Sequence, residues 1–159
     1  MSSRIGKITS ISRIHSDSNI VRLQSFRDLT YKKSAYLKQI MLVEHDSHLG
    51  KALQRLLAEE GYEVILVEDA LEFSQKVTFS CSDLILMSAN LPWIDGFELL
   101  DIIKKYPRYE KIPVIFLTHS MNADLDKALG YGVSDIIITP FQIEHLLSTV
   151  KKHINRDSI

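Results

Sequence analysis

Leu84-Ile85-Leu86-Met87-Ser88-Ala89-Asn90-Leu91-Pro92-Trp93-Ile94-Asp95-Gly96-Phe97-Glu98-Leu99 is the stretch that decides the fold. Its first four residues are a continuous apolar run, the pattern of a strand buried on both faces. Asp95-Gly96 then opens a helix, with Phe97, Leu100 and Ile103 at helical spacing. A buried strand, a short connection and a helix are half of a β-α-β unit.

The same alternation recurs on both sides. Upstream, Ile40-Met41-Leu42-Val43 is a strand ending in Glu44-His45-Asp46. Ser47 reads as the cap of the next helix, Leu49, Leu53, Leu56 and Leu57 as its apolar face, and Gly61 as its stop. Tyr62 to Val67 reads as a strand and Ala70 to Phe79 as a helix. Downstream, Val114 to Leu117 is a strand and Met121 to Gly130 a helix. Asp135 to Ile138 is a fifth strand, and Gln142 to Ile154 a last helix. Five strand–helix alternations predict an α/β fold with a parallel sheet covered on both faces. Right-handed crossovers make it doubly wound. Ligands in such sheets bind outside the carboxyl ends of the strands. The informative residues are then Glu44, His45, Asp46, Ser88, Thr118, His119, Thr139 and Pro140.

Length and composition agree. The 159 residues are 45% hydrophobic and 25% charged, which excludes a wholly disordered chain, a collagen-like fibre and a disulfide scaffold. No run reaches the roughly 20 apolar residues of a membrane-spanning helix. The single cysteine, Cys81, cannot form an internal disulfide, and a cytoplasmic setting is expected. The net charge of -1 conceals an asymmetry. Residues 1–39 hold eight basic and two acidic residues, a net of +6; residues 40–159 hold 11 and 18, a net of -7. We therefore expect a basic, Ser-rich, flexible arm over residues 1–38, a domain over 39–155 and a short tail over 156–159. Ile20, Val21, Leu23, Phe26 and Leu29 could form a short amphipathic helix in the arm, behind an Asn19 cap. Its composition also has the character of a mitochondrial transit peptide, a weaker reading.

The regular part, about residues 38–155, resembles the receiver domain of two-component response regulators. The resemblance rests on Leu84–Met87 with Leu91-Pro92 and Asp95-Gly96-Phe97-Glu98-Leu99. It rests also on Ile112-Pro113-Val114-Ile115-Phe116-Leu117-Thr118, and on Gly132-Val133-Ser134-Asp135 with Pro140-Phe141. It implies a flavodoxin-like, five-stranded sheet of order 2-1-3-4-5. It implies a signalling domain, not an enzyme. In that family an Asp ending the third strand accepts a phosphoryl group from a histidine kinase. Two acids after the first strand hold Mg²⁺, and a Lys after the fifth strand stabilises the developing charge. A hydroxyl after the fourth strand carries the switch.

Placed by motif, the phosphoacceptor position is Ser88. The acidic pair falls on Glu44 and His45, the switch hydroxyl on Thr118 and the Lys position on Thr139. The family's aromatic switch position is Ile136. The resemblance also implies a cis bond at Thr139-Pro140, because the turn geometry demands it. Acceptor, second acid and Lys are all replaced, so the pocket loses its charges in concert. An uncompensated Lys beside a neutral Ser would be costly. A Ser phosphate would be an ordinary ester, without the lability of an acyl phosphate. Mg²⁺ binding is accordingly expected to be weak or absent, and no cofactor is expected. Asp46 and Asp95 are the only nearby replacement acceptors, and both read more simply as helix-start and turn residues.

The reading is an atypical receiver, a pseudo-receiver, acting alone through protein partners without phosphorylation at the usual site. Ile136, Leu125, Leu129, Tyr131 and Ile143 border the face of the fourth helix, fifth strand and fifth helix, where the family makes output and dimer contacts. A homodimer through that face is one expectation; nucleic-acid binding is not expected. Trp93 either anchors a partner or covers the altered pocket. The alternative is a small-ligand, metal or pH sensor using Glu44, His45, Asp46 and His119, with His48 nearby. A flavin carrier is weaker, since the acidic, glycine-free first loop would repel a phosphate.

Overall fold

The computed structural model describes residues 37–119 and 125–155, with the side chains of residues 125 and 126 set apart from that description. The chain divides into two units, Met1–Leu37 and Lys38–Ile159, and the fold below is that of the second. The expected arm helix over 19–29, the start of the helix at 121–124 and the tail at 156–159 lie outside the described residues.

The elements are β1 (Gln39–Val43), α1 (Ser47–Glu59), β2 (Glu63–Val67), α2 (Ala70–Phe79) and β3 (Leu84–Ser88). They continue with α3 (Gly96–Lys104), a 3₁₀ turn (Pro107–Tyr109), β4 (Val114–Thr118), α4 (Leu125–Gly130), β5 (Asp135–Ile138) and α5 (Ile143–Ile154). All four strand pairings are parallel, and the order is β2-β1-β3-β4-β5. This is the expected doubly wound sheet. The apolar runs form the strands because both faces are covered. β3 and β4 are buried along their whole length.

Alternation along each strand sends side chains to two separate cores. Met41, Val43, Ile85, Met87 and Phe116 pack with Phe73 and Val77 of α2 and Leu99, Leu100 and Ile103 of α3. Ile40, Leu42, Leu84, Leu86, Ile115 and Ile137 pack with Leu53 and Leu57 of α1 and Leu146, Val150 and Ile154 of α5. The sheet is thereby sandwiched, and the strand-to-helix loops gather at its carboxyl ends.

One helix start departs from the sequence reading. The cap of α1 is Asp46, not Ser47: its carboxylate accepts from the His48 and Leu49 amides at 2.9 and 3.2 Å. Asp69 and Asp95 cap α2 and α3 in the same way. At the other end of α1, Gly61 adopts φ +93°, a left-handed conformation that glycine accepts without strain.

The opposite end of the domain is tied by polar side chains that periodicity does not reveal. Tyr109 is fully buried, and its hydroxyl lies 2.8 Å from the Ser80 carbonyl, 3.1 Å from the Val77 carbonyl and 2.8 Å from Ser80 Oγ. Arg108 donates to the Thr78 and Ser80 carbonyls. Together they satisfy the carbonyl end of α2. Tyr109→Phe is expected to cost about 1–2 kcal/mol, because it strips a buried acceptor cluster of its donor. The free energy of urea unfolding checks this. Lys104 Nζ donates to the carbonyls of Tyr109, Glu110 and Ile112, at 3.2, 3.2 and 2.6 Å, and fixes the loop entering β4. Burial holds the pKa of this lysine below its ordinary value, against the opposing pull of Glu110.

A second tie holds the end of α5. His153 is buried, and its Nε2 lies 2.8 Å from Asp135 Oδ2, with Lys152 at 4.0 Å from the same oxygen. Burial pushes the Asp135 carboxyl up. Hydrogen bonds from His153 and the Ile136 amide, and the nearby charges of His153 and Lys152, outweigh it and hold the pKa below the ordinary 3.8. A depressed carboxylate pKa stabilises the fold above the unfolded value, and that contribution is lost as pH falls through the folded value. Between neutrality and pH about 3, the loss of thermal stability is therefore expected to be smaller in Asp135→Asn than in the natural chain. Melting temperatures across that range test it.

Candidate functional site

Four side chains stand at the carboxyl ends of adjacent strands: Glu44 after β1, Ser88 ending β3, Thr118 ending β4 and Thr139 after β5. The first three are nearly inaccessible, at 3%, 6% and 4% exposed. The sheet register places them together, because β1 pairs with β3, β3 with β4 and β4 with β5. This brings together the residues chosen from sequence as the pocket.

Their contacts are mutual and local. Glu44 Oε1 accepts from the Asp46 amide at 2.9 Å and lies 3.2 Å from His45 Nδ1. Its carboxylate is thus turned onto its own loop. The Ser88 hydroxyl donates to the Asn90 carbonyl at 3.5 Å, a long and weak bond. Thr139 Oγ1 donates to the Thr118 carbonyl at 3.2 Å and meets Nδ1 of the His119 ring. The Thr139-Pro140 bond is cis, as expected. The His119–Thr139 contact was not foreseen; it becomes visible only when the β4 and β5 ends are side by side.

The electrostatics of the rim are acidic. Asp46, Asp69 and Asp95 already occupy the amide ends of three helices with their own carboxylates. Hydrogen bonds from the Leu49 and His48 amides lower the Asp46 pKa below the usual range. A phosphate would find these helix starts filled. The imidazoles do not converge on a metal site. Among the described residues, no three of His, Cys, Asp and Glu lie where one ion could join them. His45 is exposed on the first loop and His48 is exposed in the first turn of α1, and His119 is engaged with Thr139.

The remaining candidates divide. Ile136 is partly buried and packs against the core shared with α2 and α3. Tyr131 is 49% exposed, Leu129 58% and Ile143 51%. The side chain of Leu125 lies outside the described residues. Trp93 folds inward onto Phe73, with ring centroids 6.1 Å apart, and its indole N–H is buried without a partner among the described residues. It covers the core beside the loop that follows β3.

Comparison with known proteins agrees with this geometry. The family described as response regulator receiver domain matches residues 40–151. The chain belongs to that family. Its domain is a receiver domain of the two-component response regulators. A probable transcriptional regulator, ycf29 of Porphyra purpurea, is 40% identical over 121 residues, covering 76% of this chain and 58% of that protein. The transcriptional regulatory protein PcoR of Escherichia coli is 31% identical over 121 residues, covering 76% and 53%. The chain thus spans a little over half the length of these curated relatives. Among solved structures, the receiver domain of the sensor histidine kinase PA1611 of Pseudomonas aeruginosa, with magnesium in its active-site cleft, aligns at TM-score 0.67 and 27% identity. That alignment covers 75% of this chain and 98% of the other. The chemotaxis protein CheY4 of Vibrio cholerae shares the fold at TM-score 0.69 and 23% identity, over 74% and 98%. Receiver domains work by engaging partner proteins. Among the described residues, no helix is long and apolar enough to cross a membrane.

Proposed function

We propose that this receiver domain has given up phosphoryl transfer at the strand-end site and signals by binding protein partners. One observation carries the reading: the strand ends bear two neutral hydroxyls, Ser88 and Thr139, with Glu44 as the only buried acid beside them among the described residues. Mg²⁺ needs several oxygen ligands, carboxylates foremost. Among the described residues a single buried carboxylate, Glu44, stands there, and it is already held by the Asp46 amide and His45. No lysine ends β5 to balance a phosphoryl charge. Thr139 instead joins Thr118 and His119, which ties the ends of β4 and β5 where the family moves its switch. On this reading residues 1–38 are an accessory arm to the domain at 39–155. The curated relatives named as transcriptional regulators support, for the whole protein, an output in control of transcription.

An amide spectrum of the ¹⁵N-labelled chain, titrated with Mg²⁺ and then with beryllofluoride, tests this. Beryllofluoride imitates the acyl phosphate of an active receiver. The expected result is no displacement of the Ser88, Thr118 and Thr139 signals at millimolar concentrations. Saturable displacement of all three would show a working metal and phosphoryl site, and would overturn the proposal. Among the described residues, no cluster of three His, Cys, Asp or Glu side chains favours the metal-sensor alternative.

A further inference from the structure

The two most exposed large apolar side chains among the described residues stand on one helix. Leu71 is 67% exposed and Phe79 86%, at opposite ends of α2. They are about 12 Å apart along its axis and within about 80° of each other around it. Ser74, Gln75 and Thr78 lie between them on the same side and are exposed. This outer face carries no charge, on a domain whose residues 40–159 hold a net charge of -7.

The two charges of α2 are turned off the face. Glu72 Oε2 accepts from the Glu68 amide at 2.9 Å, Lys76 Nζ donates to the Leu66 carbonyl at 2.5 Å, and the two pair at 3.5 Å. The hydroxyls are satisfied within the helix. Ser74 Oγ donates to the Leu71 carbonyl at 2.8 Å and Thr78 Oγ1, more weakly, to the Ser74 carbonyl at 3.5 Å. Covering the face therefore strands neither hydroxyl. The two ends differ in sign. Asp69, exposed, caps the amide end of α2. Arg108, also exposed, donates to the Thr78 and Ser80 carbonyls at the other end and has no carboxylate partner among the described residues. Beside Phe79 a hollow of about 360 Å³ is lined by Gln39, Ile65, Lys76, Ser80 and Cys81.

We propose that the outer face of α2 is a self-association surface, on which α2 of a second copy of this chain lies antiparallel. Gln75 stands midway between Leu71 and Phe79, four positions from each. A two-fold axis at Gln75 sets Leu71 of each copy against Phe79 and its hollow on the other. It sets Gln75 against its own equivalent, and a carboxamide both donates and accepts, so the pair satisfies itself. It turns Asp69 of each copy toward Arg108 of the other and opposes the two helix dipoles. The contact is isologous and closes as a dimer. A highly charged partner finds nothing to pair with along the middle of this face. Two acidic copies, by contrast, repel one another elsewhere and meet without like charges here. The facing helices are ten residues long. They bury less than the roughly 1,600 Å² of a standard complex, so the dimer is a weak one. This inference names a partner for the partner-binding reading above, and it rests on that reading without depending on the chemistry at Ser88.

Sedimentation velocity of the full chain from micromolar to millimolar concentration tests it, with Leu71→Glu, Phe79→Lys and an equimolar mixture of those two variants. Both sites are exposed, and each new charge suits its end of the helix dipole, so both variants should fold; circular dichroism checks this. We expect a concentration-dependent dimer of the natural chain, and a dissociation constant raised at least about tenfold by either variant. The mixture should associate at least about threefold more tightly than either variant alone. In the mixed dimer the new carboxylate of one copy faces the new ammonium of the other, and the second Leu71–Phe79 contact is the natural one. The amide signals of Leu71, Gln75 and Phe79 should move with concentration. Should one variant not fold, the other variant and these signals decide. A monomer at every concentration overturns the proposal. So does a dimer that either folded variant leaves unchanged, a mixture no tighter than its components, or displacement confined to other faces. Phosphoryl-site chemistry is read separately, by the beryllofluoride titration, so failure of either proposal is distinguishable from failure of the other.

Discussion

Gly96→Ala is expected to destabilise the domain by about 3 kcal/mol. Gly96 opens α3 against the loop that leaves β3, and its amide donates to the Ala89 carbonyl at 3.1 Å. A Cβ there would stand 2.6 Å from that carbonyl oxygen and 2.8 Å from the Ala89 Cα. Both are backbone atoms, so no side chain can turn aside to relieve the contact. Either the start of α3 or the end of β3 must move, and Ala89 directly follows Ser88. The variant should therefore also displace the Ser88 amide signal. Gly130 is the control: a Cβ there meets nothing within 4 Å. Gly130→Ala should stay within about 0.5 kcal/mol of the natural chain. Equal effects at the two sites, read from urea unfolding, would show that the close approach at Ala89 does not constrain the loop.

Restoring three charges together is expected to turn phosphoryl uptake on. The variant carries Ser88→Asp, His45→Asp and Thr139→Lys. It supplies the acceptor carboxylate, the second metal ligand and the lysine whose positions the family motifs fix in this chain. Each change alone is expected to fail. Ser88→Asp by itself places a carboxylate at a site only 6% exposed, with no cation opposite, and should mainly lower stability. Thr139→Lys by itself adds a charge beside neutral hydroxyls. In the triple variant the carboxylates repel one another until Mg²⁺ binds, so Mg²⁺ should raise its melting temperature and leave the natural chain unmoved. With a small acyl phosphate and Mg²⁺, the triple variant should gain one acid-labile phosphoryl group. Its yield should exceed that of Ser88→Asp at least tenfold, each tenfold being about 1.4 kcal/mol of barrier. Equal labelling of the single and triple variants, followed by intact-mass spectrometry, would mean that metal and lysine positions are not where the motifs put them.

The order of the sheet was legible because its strands are continuous apolar runs. Leu84–Met87 and Val114–Leu117 have no polar residue to suggest a solvated face, and both strands prove fully buried. The strand-end residues followed from the same reading, since a parallel sheet gathers its loops at one end. What periodicity could not supply were polar contacts between residues distant in sequence. The Tyr109 cluster reaches 29 to 32 residues back to α2, and His119 meets Thr139 across 20 residues. Gln54 and Lys76, which cover the Val64 and Leu66 carbonyls on the β2 edge, look like ordinary surface residues until the strand register shows which carbonyls face out. The cap of α1 could have been found. Asp is among the strongest capping residues, and Asp46 stands one position before the Ser47 chosen for that role. The inward fold of Trp93 depends on its packing against Phe73, which no local pattern encodes.

The central claim is that the natural strand-end site does not accept a phosphoryl group. Intact-mass spectrometry of the full 159-residue chain, after incubation with a small acyl phosphate and Mg²⁺, tests it most directly. The expected spectrum is a single unmodified species under conditions that label the triple variant. An acid-labile adduct of one phosphoryl group on the natural chain, mapped to Asp46, Asp95 or another carboxylate at the strand ends, would contradict it.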